Sequence, residues 1–67
     1  MDKITLNGLK RRATARLKGA VLVLDTINVN KLGKSDLQLV YEQIDSIAEG
    51  LAQLQQVKTE LQEAHNV

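Results

Sequence analysis

In the second half of the chain, Leu37, Val40, Ile44, Ile47, Leu51, Leu54 and Leu61 recur at spacings of 3, 4, 3, 4, 3 and 7. Apolar residues alternating three and four apart line one stripe of an α-helix, with 37, 44 and 51 at the a position of a heptad and 40, 47, 54 and 61 at d. Lys58 interrupts the a row, and His65 follows it. Ser35 with Gln38 three residues on has the form of a capping box, and Asp36 suits the positive end of a helix dipole. A helix over about 36–65 is predicted. In the first half, Leu6, Leu9, Ala13, Leu17, Ala20, Leu24 and Ile27 share one arc, predicting a helix over about 5–31, with Gly33 just past its end.

The turn at 32–35 is short, and short connections make antiparallel neighbours. The expected fold is therefore all-α: one antiparallel two-helix hairpin with coiled-coil-like packing. Facing residues in such a pair keep a constant index sum. A sum of 67 aligns Leu6 with Leu61, Ala13 with Leu54, Ala20 with Ile47 and Ile27 with Val40. A sum of 68 aligns Leu17 with Leu51 and Leu24 with Ile44. Every layer is apolar, so Leu17, Leu24, Ile44, Ile47, Leu51 and Leu54, with Leu37 beyond them, are the expected hairpin core. Two layers pair alanine with a large residue, which fills space without clashes.

The first helix has more apolar surface than one partner can cover. Val21, Leu22 and Val23 point around the axis beyond the arc that meets the second helix, and a helix apolar all round is a buried one. These three, with Gly19, are the expected partner interface. The simplest closure is a homodimer of hairpins forming a four-helix bundle, and a helical protein partner is the other. Gly8, Gly19 and Gly50 each weaken a helix by about 1 kcal/mol relative to alanine. Gly19 and Gly50 fall at nearly the same height, where small residues permit close approach.

Composition sharpens this. At 67 residues the chain is one domain at most, and a core that small supplies roughly 3–5 kcal/mol unless something staples it. It has no Cys, a single His and no Pro, so disulfides and thiolate metal sites are excluded and long helices or oligomerisation remain. The absence of Cys fits a reducing, intracellular setting, cytoplasmic or nuclear. The longest apolar run, Ala20 to Leu24, is far too short to span a membrane. No motif for metal, cofactor, phosphate loop or catalytic nucleophile is present, and paired carboxylates occur only on the exposed stripe; no catalysis is expected.

The net charge of +1 is unevenly placed: residues 1–34 carry +6 and residues 35–67 carry −5. Oppositely charged halves attract one another. Lys10, Arg11, Arg12, Arg16 and Lys18 also offer phosphate contacts, so a small nucleic-acid-binding or regulatory protein is the alternative reading. The charges surround the helix instead of forming one stripe, and no aromatic stands beside them to stack on bases.

The order Leu9-Lys10-Arg11-Arg12-Ala13 to Leu17-Lys18, a connection, then Tyr41-Glu42-Gln43-Ile44 through Leu51 to Leu61-Gln62-Glu63 resembles the N-terminal helical hairpin of Gag-like proteins from BEL/Pao-type retrotransposons. Those regions open with a basic helix and continue into a long helix rich in Leu, Glu and Gln. The resemblance implies a self-association segment at the start of a longer polyprotein, with no catalytic residue. A chain running out at His65-Asn66-Val67 fits such a fragment.

Overall fold

A computed structural model describes residues 1–65; Asn66 and Val67 lie outside the described residues. Two helices pack against each other: α1, Lys3–Asp25, and α2, Lys34–His65, joined through a short 3₁₀ turn at Val29–Lys31. The expected all-α hairpin is what forms. It is a rod of 52 × 17 × 14 Å.

Asp2 starts α1. Its backbone is extended, and its carboxylate accepts hydrogen bonds from the Thr5 backbone N–H at 2.7 Å and the Thr5 hydroxyl at 3.1 Å. The backbone N–H of Thr5, reinforced by its hydroxyl, favours the charged carboxylate and holds the Asp2 pKa below its ordinary value. A depressed carboxylate pKa contributes stability that is present above the unfolded-state value and lost as pH falls through the folded one. Acidification through the carboxylate range is therefore expected to fray the first turn of α1, and the Asp2→Asn variant to remove most of that pH dependence. Amide exchange at Thr5 and Leu6 measures it.

α1 ends at Asp25, six residues short of the predicted Lys31. The Thr26 hydroxyl donates to the Val23 carbonyl at 2.7 Å, and the Thr26 and Ile27 N–H groups bond three residues back at 3.1 Å. These tight bonds close the last turn. The Asn28 side chain then accepts from the Asn30 N–H at 3.0 Å and starts the 3₁₀ turn. The apolar pattern through Ile27 hid this stop, because Thr and Asn side chains offer the backbone an alternative to the helix.

Gly33 belongs to α2 and not to the end of α1. Its carbonyl accepts from the Leu37 N–H at 3.1 Å, and its own N–H donates to the Asp36 carboxylate at 3.3 Å. This is one half of a capping box, with Gly33 at the cap position and the Asp36 side chain reaching back to it from three residues on. The predicted Ser35–Gln38 capping box is thus displaced by two residues, and Ser35 lies inside the helix.

The register is close to the prediction. The contacting pairs Met1–Glu60, Ala13–Gly50, Arg16–Glu49 and Leu17–Gly50 have index sums from 61 to 67. The rotation of α2 about its own axis differs. The buried residues are Ala13, Ala20, Gly50 and Val57. Ile44 and Leu51, expected in the core, are each 52% exposed, as is Leu61, and Leu37 is 40% exposed. The row of α2 that meets α1 is Gln43, Gly50 and Val57, one place before the predicted a row, flanked by the half-buried Val40, Ile47 and Leu54. Leu17 and Leu24 of α1 are half-buried on the expected face.

Gly50 explains the rotation. A Cβ built there would lie 2.9 Å from Leu17 Cγ and 3.4 Å from the Ala13 carbonyl oxygen. The missing side chain lets the Leu17 side chain and the backbone around Ala13 settle directly onto α2. Gly19, expected to share that height, has nothing within 4 Å and takes no part in the contact.

Candidate interaction surface

Two flanks of different chemistry follow from the facing rows. Each residue of an α-helix advances about 100°. With Ala13 and Ala20 turned toward α2, Lys10 and Val21 lie to one side of α1. Arg12, Arg16 and Val23 lie to the other, and Leu22 points directly away. With Gly50 and Val57 turned toward α1, Leu37, Ile44, Leu51 and Lys58 lie to one side of α2, and Glu42, Glu49 and Glu60 to the other. The helices run in opposite senses, so the Val21 side and the Leu51 side fall on the same flank of the hairpin.

Contacts on each flank agree. Arg16 pairs with Glu49 on the polar flank, where the Met1 ammonium also meets Glu60 at 3.4 Å. Both pairs reach solvent, and exposed pairs of this kind stabilise by about 1 kcal/mol at most. On the opposite flank Lys10, Leu54, Val57, Lys58 and Leu61 line a shallow open groove between the helices.

The apolar flank is left open. Val21 is 53% exposed, and no large side chain anywhere among the described residues is fully buried. The chain exposes 5403 Å², whereas a compact monomer of its 7.4 kDa exposes about 4,200 Å² on the usual area scaling. On the polar flank, the Gln53 side-chain oxygen is shut away from solvent without a hydrogen-bond partner, which costs roughly 1–3 kcal/mol.

The expected partner face is only partly assembled. Val21 and Leu22 share a shallow hollow with Leu17 and Lys18. Val23 is half-buried and, with Gly19, turned toward the polar side, so these four residues do not form one surface. Sequence reasoning missed the contribution of α2, whose Leu37, Ile44 and Leu51 stand 40–52% exposed on this flank. The signal was available in the seven-residue row of Gln43, Gly50 and Val57, which the more apolar neighbouring row concealed.

The basic residues are dispersed. Arg11 and Lys18 point away from the hairpin, Arg12 and Arg16 lie on the polar flank with Arg16 engaged by Glu49, and Lys10 borders the apolar groove. The structure gathers no single cationic stripe from them. Among the described residues there is no group of three or more His, Cys, Asp or Glu able to hold a metal ion, and no helix is long and apolar enough to cross a membrane. Comparison with protein-family models, with curated proteins and with solved structures finds no match to this chain.

Proposed function

We propose that this chain is a non-catalytic self-association module, a hairpin that completes its core by joining a second hairpin. The observation that carries this reading is the quality of the isolated core. Its buried apolar side chains are Ala13, Ala20 and Val57, while Val21, Leu22, Leu37, Ile44, Leu51 and Leu61 stand at least 40% exposed. The other apolar side chains between the helices, Leu17, Leu24, Val40, Ile47 and Leu54, are only half-buried, so this core is thin against the cost of ordering more than sixty residues, which is about 1–2 kcal/mol each for the backbone alone. The surface in excess of a compact monomer, about 1,200 Å² on the area scaling, exceeds the roughly 800 Å² that each partner gives to a standard interface. Such a module suits the opening segment of a longer assembly protein, in keeping with the likeness to Gag-like hairpins.

Association must then stabilise the fold by mass action. Light scattering over a dilution series is expected to give the dimer mass at micromolar concentration, and the melting temperature to rise with concentration. A stable monomer whose melting temperature is independent of concentration would overturn the proposal.

A further inference from the structure

Resting on the self-association reading, we infer that the apolar flank receives a second copy of the chain in one orientation, end over end, so that α1 lies against its own copy and α2 against its own. The argument is charge complementarity along the flank. Lys10 and Lys58 border the groove at the end that carries the termini, and neither forms an ion pair within the hairpin among the described residues. Asp25 and Asp36 stand at the opposite end, next to the connection. Asp25 is the last residue of α1, at the negative end of the helix dipole, and no basic residue occupies that turn. A carboxylate there is destabilised until a cation reaches it.

A two-fold axis can bring two such flanks together in two ways. An axis parallel to the helices lays α1 over the second copy's α2 at the same height. Lys10 then lies within about one turn of the copy's Lys58, and like charges meet at that end. An axis across the helices inverts the second copy. Centred between Leu17 and Lys18 in α1, it carries Lys10 onto Asp25. On the Arg16–Glu49 pairing, whose index sum is 65, the same axis passes α2 between Ile47 and Ala48 and carries Lys58 onto Leu37, beside Asp36. Both lysines meet acids under a single operation. That operation also pairs Ile44 with Leu51 of the copy, twice, at the centre of the interface. Lys58, the residue that interrupts the apolar part of the a row, is thereby explained: its stem covers Leu37 of the copy and its ammonium comes beside Asp36, whose carboxylate also accepts from the Gly33 N–H. A lone polar residue in an apolar row fixes register at some cost in stability.

The chain has no native cysteine, so engineered pairs report the arrangement cleanly. The full-length Ile44→Cys and Leu51→Cys chains are mixed, unfolded, refolded together and oxidised, beside each chain alone and beside a Val21→Cys plus Ile44→Cys mixture. The expected result is a disulfide-linked heterodimer from the Ile44→Cys plus Leu51→Cys mixture, absent from either chain alone and from the Val21→Cys mixture. A dimer that cross-links through Val21→Cys and Ile44→Cys instead would overturn this orientation while leaving self-association standing. A monomer by light scattering would overturn both, and a dimer that cross-links through neither pair would remove the flank from the interface.

Discussion

Replacing Gly50 by leucine is expected to remove a large part of the stability of the hairpin and to lower its melting temperature steeply. The position is buried, and even a single methyl there would sit 2.9 Å from Leu17 Cγ and 3.0 Å from Leu17 Cδ2. A rotamer change at Leu17 does not make room for an isobutyl group, because the backbone carbonyl of Ala13 also lies only 3.4 Å from that Cβ position and cannot turn aside. The helices must separate, and Ala13 and Ala20 then lose the contact that buries them. Overpacking costs about 1–3 kcal/mol, and a core of this size holds only about 3–5 kcal/mol in total. The control is Gly19→Leu, where nothing lies within 4 Å. There the intrinsic preference of leucine over glycine, about 0.8 kcal/mol, is expected to raise the melting temperature. Circular dichroism melts of the two variants should move in opposite directions. Equal destabilisation would mean that glycine at 50 matters for helix flexibility and not for close packing.

Placing charge on the open flank is expected to have the second largest effect. In the Ile44→Glu, Leu51→Glu double variant, two side chains that are each half-exposed in the lone hairpin become carboxylates. A lone hairpin would tolerate this well, since neither residue contacts α1 in the facing row. An assembled one would not, because four carboxylates would meet at the interface, and each unpaired buried charge costs several kcal/mol. The variant should therefore sediment as a monomer and melt with little cooperativity, whereas removing the charge of Glu49 on the polar flank (Glu49→Gln) leaves the assembly intact. Retention of the dimer mass in the double variant would place the contact elsewhere.

The apolar spacing in each half was enough to read two helices, their antiparallel order and a register within a few residues. It also placed Ala13 and Ala20 correctly, since small residues every seven positions on an otherwise large-residue arc mark where another helix comes closest. The rotation of α2 was not legible for a specific reason. Its apolar arc is broad enough for two neighbours, and the a and d rows were both assigned to α1. In the structure the d row of Val40, Ile47 and Leu54 flanks α1 while the a row of Leu37, Ile44 and Leu51 faces outward. Which row wins is decided by Gly50, a residue that scores as a helix breaker and carries no hydrophobic signal. The end of α1 was hidden in the same way, by Thr26 and Asn28, whose side-chain bonds to nearby backbone act locally and leave no periodic trace. On the expected partner surface, Val21 and Leu22 are both exposed and share one hollow, whereas Val23 is half-buried and turned toward the polar flank, because neighbours on a helix point about 100° apart.

The connection between the helices has a consequence for how the molecule opens. Only residues 26–33 separate α1 from α2, so contacts beside the connection close a loop of very few residues, while Met1 reaches Glu60 across 59 positions. Loop-closure entropy rises with that separation. The hairpin should zip from the Leu24–Val40 end toward the termini and come apart in the reverse order, so amide protection decays along the rod and the Met1–Glu60 clasp is the first thing solvent undoes.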